Sequence, residues 1–392
     1  MRKLTADYIF PITHEPVRHG VLTIDDDGTI LDLSQGDDSR DVAEIEFYEG
    51  IIVPGFVNAH CHLELSHMKD ALPQGVGMGN FCKGVMSLRN NHSIDEQIEI
   101  MSHYDKQMYS EGIVAVGDIS NGESSFSVKQ HSSIYYHTFI ECLGYGDDKA
   151  YAIIKNALGI QDNAHKMGLQ ASIALHAPYS MSERLFAETI RLGIDNGIIS
   201  IHNQESAEEM ELFATGNSNL RSVFEKFGFD PSILSCKNPI DKLLKYLAPV
   251  NLLLIHNVYS SAGDVERVSS INPRTTWVLC PNSNLYIENS LPPATMFYYK
   301  NVNVAIGTDS LSSNTNLSIL DELKTLNTRF PQIPLHTLLY WATLGGAKAL
   351  MKDAELGSFN IGKRPGITLI NNINYDSMIL KPDSRQTNLL QQ

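Results

Sequence analysis

The sequence predicts a mixed α/β fold, a (β/α)₈ barrel of the TIM type that carries a small β-sandwich built from both termini. Two patterns in the 392 residues lead to this prediction. Short apolar runs alternate with helix-like segments through the middle of the chain, and each end contains strand-like runs separated by turns. The predicted domains are residues 1–53 plus 357–392 for the sandwich and residues 54–356 for the barrel.

The two ends of the chain show the same strand-and-turn pattern. Residues 25–28 read Asp-Asp-Asp-Gly, which predicts a hairpin turn because Gly28 tolerates a positive φ. The tail has Gly357, a turn at residues 362–366 and a β-type run at 367–370. The N-terminal strands are predicted at residues 6–10, 20–24, 29–33 and 44–48.

The middle of the chain predicts eight strands interleaved with helices, as a (β/α)₈ barrel requires. Ser93 and Ser182 are each followed by acidic residues and are expected to begin helices as N-caps. Residues 216–247 form an insertion after the fifth strand, expected to be helical and lid-like. The eight strands are predicted at residues 51–59, 113–119, 133–142, 170–176, 198–202, 250–256, 276–280 and 302–307.

The composition of the chain restricts the binding partners and the cellular compartment that we expect for it. The net charge of −15 disfavours a nucleic-acid or anionic-membrane surface, since either would need a basic face. No apolar run approaches the roughly 18 residues of a membrane span, and the first residues lack a secretory signal. The five cysteines are scattered and indicate reduced thiols in a cytoplasmic protein. The expected partner is therefore a small molecule.

Five residues of metal-binding type stand at or just after the ends of predicted strands: His60, His62, His202, His256 and Asp309. In parallel sheets, functional groups collect where strands deliver their carboxyl ends. The spacing of His60 and His62 places both imidazoles on one face of an extended chain. The alternative, several buried core histidines without a shared partner, would be costly. We therefore expect His60, His62, His202 and Asp309 to bind one divalent metal ion.

The residues around this cluster predict hydrolytic chemistry. Glu205 follows His202 by three positions, where a carboxylate can take a proton from a metal-activated water and return it to the leaving group. Asp309 can also accept a hydrogen bond from that water. The acids that follow, Glu208, Glu209 and Glu211, are expected to be solvated on the next helix.

In this order, the motifs His-x-His, His-x-x-Glu, His and Asp resemble the amidohydrolase superfamily. The similarity is to its branch of mononuclear metal-dependent deaminases and chlorohydrolase-like enzymes, with cytosine deaminase-like, nucleoside deaminase-like and aminofutalosine deaminase-like members. The resemblance implies a catalytic role for His256, which orients or polarises the attacking water and in some relatives also touches the metal. The fourth predicted strand, residues 170–176, lacks the lysine of binuclear relatives, which implies one metal ion. Zinc is preferred and iron(II) is the alternative.

The resemblance also suggests substrate-binding residues. His176 lies in a His-Ala-Pro-Tyr run, Asn284 in Cys-Pro-Asn-Ser-Asn, and Ser310 beside Asp309. Glu64 and Arg89 are further candidates, whereas the glutamate that binds ribose in nucleoside deaminases of the branch has no counterpart in the loop after the first strand. The stretches 280–284 and 309–314 are expected to support the metal site.

The predicted activity is hydrolytic deamination of an aminated purine-, pyrimidine- or nucleoside-like heterocycle. Hydrolysis of a cyclic amide, as in imidazolonepropionase-like enzymes, or of a C–Cl bond, as in chlorohydrolases, uses the same metal and water and stays open. An inactive barrel that serves as a binding protein is a remote third reading, because every expected ligand is present. The resemblance further implies a homodimer.

Overall fold

The computed structural model describes residues 1–35, 45–229, 234 and 236–390. The strands in this part are β1 (Arg2–Ile9), β2 (Val17–Arg18), β3 (Val21–Ile24), β4 (Ile30–Ser34), β5 (Glu46–Pro54), β6 (Phe56–Cys61), β7 (Ile113–Ser120), β8 (Tyr135–Cys142), β9 (Gln170–Leu175), β10 (Ile198–Asn203), β11 (Asn251–His256), β12 (Thr275–Leu279), β13 (Asn303–Ile306), β14 (Ile367–Asn374) and β15 (Ile379–Asn388).

The helices lie mainly between the strands of the central region. They are α1 (Met78–Leu88), α2 (Ile94–Ser110), α3 (Phe126–His131), α4 (Ala150–Lys166), α5 (Glu183–Asn196), α6 (Ala207–Thr215), α7 (Asn219–Phe224), α8 (Pro239–Leu244), α9 (Ala262–Ile271), α10 (Pro281–Glu288), α11 (Ala294–Lys300), α12 (Ile319–Arg329), α13 (Leu335–Tyr340) and α14 (Gly346–Ala349). None of the described helices is both long and apolar enough to cross a bilayer.

Strands from both ends of the chain share one seven-stranded sheet. Its order is β15-β14-β5-β1-β3-β4, with β2 paired to β1. The predicted hairpin is present, with Gly28 at φ 84° and its N–H donating to the Asp25 carbonyl at 3.1 Å. Residue 44 of the fourth predicted strand lies outside the described part. The division into a sandwich and a barrel domain stays a prediction.

The central strands form two four-stranded parallel sheets, β6-β7-β8-β9 and β10-β11-β12-β13. Every residue of β10 and β11 is buried, as expected for a parallel sheet covered on both faces. Over the described residues, no ladder pairs β9 with β10, and one bridge between Cys61 and Asp309 links the end of β6 to the segment after β13. The fold is therefore mixed α/β.

The run predicted as one strand over residues 51–59 is two strands. β5 ends at Pro54 in the terminal sheet, and β6 begins at Phe56 in the first parallel sheet. Gly55 makes the transition, with its N–H donating to the Pro365 carbonyl at 3.0 Å. A Cβ at Gly55 would lie 2.4 Å from Val114 Cγ1, so only glycine fits this crossing. A uniformly apolar run does not reveal such a change of sheet.

Both predicted helix caps are present, and the insertion is helical where it is described. Ser93 forms a capping box with Glu96, and the Ser182 side chain accepts from the backbone N–H of Leu185.

The insertion at residues 216–247 contains α7 and α8, while residues 230–233 and 235 lie outside the described part. Lys242 of α8 is buried and donates to the carbonyls of Pro178 and Met181, at 2.9 and 2.7 Å. The insertion is thereby attached to the segment after β9, and its role as a lid stays a prediction.

A buried ion pair supports the segment that follows His62. Lys129 Nζ of α3 lies 2.6 Å from Asp118 Oδ2 of β7, and both side chains are fully buried. The other oxygen of Asp118 accepts from the backbone N–H of Leu63 at 2.7 Å. Asp118 thus joins the ion pair to the residue next to His62.

Replacing Lys129 with methionine should lower the free energy of unfolding by about 3–5 kcal/mol, because the Asp118 carboxylate would be buried without its counter-charge. Urea unfolding measures this effect. Asp118→Asn in the same chain should restore part of the loss, since its amide oxygen can still accept from Leu63. Lys155→Met, at an exposed lysine, is the control. A wild-type stability for Lys129→Met would contradict the role of the pair.

Candidate metal centre

The structure brings the predicted histidines together at the carboxyl ends of the parallel strands. His60 is in β6, His62 follows it, His202 is in β10 and His256 ends β11. The ring centroid of His60 lies 4.9 Å from that of His62, 5.0 Å from that of His202 and 5.6 Å from that of His256. Side chains separated by nearly 200 residues along the chain therefore surround one point.

Asp309 completes the cluster from the segment after β13. Its Oδ1 faces the Nε2 atoms of His62 and His60, at 3.4 and 3.7 Å. Its Oδ2 accepts from the hydroxyls of Ser283 and Ser313, each at 2.6 Å. Burial alone would raise the pKa of Asp309, but the neighbouring imidazoles, His60 first, hold it well below the usual value. The carboxylate is thus charged, with one oxygen fixed and the other directed at the imidazoles.

The donor set fits a divalent transition metal. The ligand atoms of His60, His62 and His202 lie within 4.8 Å of one another, as do those of His60, His256 and Asp309. His60 Nε2 is buried and has no hydrogen-bond partner among the described residues. Burial lowers the pKa of His60 and of His202, which keeps both rings neutral. Neutral imidazoles with one carboxylate are ligands that zinc and iron(II) accept.

The orientation of His202 leaves one nitrogen for a metal. Its Nδ1 lies 2.7 Å from the carbonyl of His176, and a carbonyl can only accept, so Nδ1 carries the proton. Nε2 then has its lone pair free. Such a hydrogen bond on the distal nitrogen fixes the ring of a metal-binding histidine.

Glu205 and His256 form an acid–base pair beside the cluster. Glu205 Oε1 lies 3.3 Å from His256 Nε2. Burial, followed by the charges of Asp309 and Glu209, raises the pKa of Glu205 well above its usual value. Burial lowers the pKa of His256 to about 3. Of the two side chains, Glu205 is therefore the one that holds a proton more readily, as expected of a group that exchanges protons with a substrate.

Asn284 sets the tautomer of His256. Its amide nitrogen donates to His256 Nδ1 at 3.1 Å, which leaves the ring proton on Nε2, the nitrogen that faces Glu205. A protonated ring nitrogen has no lone pair for a metal. This arrangement favours a hydrogen-bonding role for His256.

The backbone is strained at several residues of the cluster. Gln204, His256, Asn257 and Asp309 have positive φ values of 47°, 73°, 59° and 58°. Such conformations cost non-glycine residues about 1–3 kcal/mol each and persist where the surrounding structure enforces them. Gly307 shows how close the packing is, since a Cβ there would lie 2.8 Å from His60 Cβ.

The five candidate substrate-binding residues fall into two groups. His176 is next to the cluster, 5.2 Å from His202 between ring centroids, and its Nδ1 is 2.6 Å from Ser180 Oγ. Asn284 contacts His256, and Ser310 Oγ lies 2.6 Å from Ser312 Oγ. These three residues line or support the centre.

Glu64 and Arg89 belong instead to a network around Asn121, after β7. Glu64 accepts from the Asn121 backbone N–H at 2.9 Å, and Arg89 donates to the Asn121 side chain at 3.4 Å. The Asn121 amide donates to Glu141 at 2.7 Å, and Glu141 Oε1 is 3.8 Å from His202 Nδ1. The network thus reaches the metal centre through Glu141.

Sequence reasoning missed Glu141 and misplaced one other acid. Glu141 is a lone acid inside the apolar run at residues 133–142, and this is its only signal. The expectation that Glu209 is solvated is wrong, because it is 1 % exposed and accepts from the Glu205 N–H at 2.8 Å. Glu208 is half-buried and accepts from the Gly79 N–H at 2.8 Å. Glu211 is exposed, as expected.

Glu322 connects the two loops that support the centre. This fully buried carboxyl of α12 accepts from the Asn282 N–H at 2.9 Å and from the Asn314 side chain at 2.8 Å. Burial raises its pKa from 4.5 to about 8, against the lowering effect of these hydrogen bonds. Between pH 4.5 and about pH 8, Glu322 is therefore protonated in the folded protein and deprotonated in the unfolded chain.

The free energy of unfolding should fall as the pH rises through this window, because the unfolded chain binds fewer protons there. Glu322 contributes fully below pH 4.5 and loses its contribution by about pH 8. In Glu322→Gln, the fall measured by urea unfolding should be smaller, by up to about 1.4 kcal/mol per pH unit. Glu211→Gln should behave like the wild type. An unchanged pH dependence in Glu322→Gln would contradict the raised pKa.

Comparison with known proteins places the chain among hydrolases. The model of the amidohydrolase family matches residues 51–387. An adenosine deaminase from Helicobacter pylori is 29% identical over 83% of this chain and 80% of its own length. Among solved structures, Helicobacter pylori aminofutalosine deaminase in complex with methylthio-coformycin superposes with a TM-score of 0.81 at 24% identity, over 95% of this chain and 93% of that one. Atrazine chlorohydrolase from Arthrobacter aurescens, complexed with zinc, gives 0.76 at 17% identity, over 96% and 90%.

Proposed function

Because the chain belongs to the amidohydrolase family, we propose that it removes the amino group of a nucleoside-like heterocycle by hydrolysis. The enzyme is a metal-dependent hydrolase that acts on carbon–nitrogen bonds other than peptide bonds. The similar proteins named as deaminases of adenosine and its derivatives support this substrate class. Within the chain, the observation that carries the proposal is the contact of Glu205 with His256 beside the cluster of imidazoles.

In this proposal His60, His62, His202 and Asp309 hold one divalent metal ion, zinc in preference to iron(II). When bound, the ion lowers the pKa of a water molecule toward ~7 and so supplies the nucleophile. The similar structures that contain zinc support the choice of metal. The fixed Oδ2 of Asp309 keeps its Oδ1 directed at the same point, where it can also accept a hydrogen bond from the water.

Glu205 moves the protons of the reaction. Water adds across the C=N bond of the ring: its oxygen bonds to the carbon that bears the amino group, and Glu205 passes one of its protons to the ring nitrogen. Glu205 then moves the remaining hydroxyl proton to the amine, the carbon–nitrogen bond breaks, and ammonia leaves while the ring keeps the oxygen as a carbonyl. The Nε2–H of His256 donates a hydrogen bond to the developing negative oxygen, which is the kind of contact that stabilises such a transition state. His176, whose ring lies 5.2 Å from that of His202, contacts the bound ring in this proposal.

The proposal includes closure of the two parallel sheets into a (β/α)₈ barrel. Hydrogen bonds at both junctions support closure. The His202 N–H donates to the His176 carbonyl at 2.9 Å, and the Thr308 N–H donates to the His60 carbonyl at 3.0 Å. All eight strands then direct their carboxyl ends toward one metal centre, as in barrel enzymes.

A reducing compartment fits the cysteines. None of the five, which all lie in the described part of the chain, forms a disulfide. We place the enzyme in the cytoplasm on this basis. Cell fractionation tests the placement, and the homodimer stays a prediction that sedimentation can test.

The decisive experiment measures products from a panel of heterocycles. Purified enzyme with quantified zinc is incubated with adenosine, 5′-deoxyadenosine, 5′-methylthioadenosine, adenine, cytosine, a cyclic amide and a chlorotriazine. Ammonia, chloride and ring-opened products are measured, with Glu205→Gln as the control for contaminating enzymes. We expect ammonia in equal amount to deaminated product from an adenine nucleoside. Chloride or a ring-opened product without ammonia would show the proposal to be wrong.

A further inference from the structure

Glu209 is a buried carboxyl that holds the backbone of the proposed acid–base residue. Its Oε2 accepts from the N–H of Glu205 at 2.8 Å, and its side chain is 1 % exposed. A buried side chain four residues along the chain therefore fixes the peptide group of Glu205.

The contact is made at a strained turn. Gln204 has φ 47°, in the left-handed region, and Ser206 is extended, with φ −132° and ψ 153°. The turn lies at the N-terminus of α6, where unpaired N–H groups favour a carboxyl oxygen. The contact is reciprocal, since the Ser206 hydroxyl accepts from the Glu209 N–H at 3.0 Å.

We propose that Glu209 is a positioning residue, which clamps the strained turn at residues 204–206 and thereby fixes the Glu205 carboxyl against His256. The turn lies outside regular secondary structure, because β10 ends at Asn203 and α6 begins at Ala207. Gln204 is anchored separately, because its carbonyl accepts from the Tyr259 N–H at 3.0 Å and its side chain accepts from the Ser260 hydroxyl at 2.5 Å. Without the clamp, the Glu205 peptide group loses its hydrogen bond, and the Glu205 side chain can move relative to His256. A displacement of 1 Å in a catalytic group can cost about 10²-fold in rate.

Glutamine is a suitable replacement for testing the clamp. Burial raises the pKa of Glu209 to about 8, so the carboxyl is mainly neutral at pH 7. A glutamine amide is also neutral and keeps a carbonyl oxygen that can accept from the Glu205 N–H. Alanine removes the acceptor altogether. Glu211, exposed on the same helix, supplies the control Glu211→Ala.

The first measurement does not depend on the proposed function. Amide hydrogen exchange is followed in the peptide that contains residues 204–206 of the full-length holoenzyme. Glu209→Ala should exchange faster than the wild type, while Glu209→Gln and Glu211→Ala should not. Wild-type protection in Glu209→Ala would overturn the clamp, whatever the enzyme does.

The second measurement uses the best substrate of the wild type and therefore rests on the proposed function. Glu209→Ala should lower kcat by roughly 10- to 100-fold, with KM and metal content close to those of the wild type. Glu209→Gln should recover most of kcat, which loss of stability alone would not predict. Equal loss in the glutamine and alanine variants, or loss of metal in both, would overturn the proposal. A wild type that releases no ammonia contradicts the proposed function and leaves the exchange result to decide on the clamp.

Discussion

Glu205→Gln should retain its metal and lose roughly 10²–10⁴-fold in kcat, the range that general acid–base catalysis contributes. Glutamine has nearly the shape of glutamate but cannot take up or release a proton at this position. The four proposed ligands keep their contacts, since the Glu205 carboxyl is placed against His256, which is not one of them. Steady-state kinetics and metal analysis on the same preparation check both parts of this expectation.

Glu211→Gln is the matched control, because Glu211 lies on the same segment but is exposed. It should keep wild-type kcat and metal content. Wild-type turnover in Glu205→Gln would remove Glu205 from the mechanism. Loss of metal in that variant would reassign it as a ligand.

His60→Ala should remove the metal itself and, with it, the activity. His60 is at the centre of the cluster, with its ring 4.9–5.6 Å from three other imidazoles, and its Nε2 has no other partner among the described residues. With one imidazole lost, the site keeps only three of its four proposed protein donors, and its affinity for zinc falls. Metal content after dialysis should fall toward zero, and the wild type should be more resistant to thermal unfolding, because bound metal stabilises the folded state.

His103→Ala, at an exposed histidine, is the control and should bind metal like the wild type. Unchanged metal stoichiometry in His60→Ala would contradict its assignment as a ligand. Supplementing the growth medium with zinc or with iron, followed by metal analysis of the wild type, distinguishes the two candidate ions.

The fold class and the cluster of imidazoles could be predicted because both leave a local signal. Each of His60, His202 and His256 ends an apolar run, and in a parallel sheet such ends meet. The residues that hold these groups leave no such signal. Glu141 and Glu209 look like ordinary acids, and their burial results from packing between elements that are distant in sequence.

Contacts that stabilise the fold outside the metal centre could not be predicted from the sequence for the same reason. Lys129 is a lysine in a short helix, and its pairing with Asp118 depends on how α3 packs against β7. The split between β5 and β6 depends on the approach of Pro365 to Gly55, more than 300 residues apart. Periodicity within a window of the sequence cannot detect contacts of this kind.

The pairing of β14 with β5 in the terminal sheet has a consequence for synthesis of the chain. β5 pairs with β1 early, but its other edge stays open until β14 leaves the ribosome roughly 300 residues later, on the order of 15–60 s at typical translation rates. Open strand edges invite pairing with other chains. During most of its translation, the nascent protein therefore exposes an unpaired edge of β5 that can pair with other chains. Its need for chaperones should be greatest before the last strands emerge.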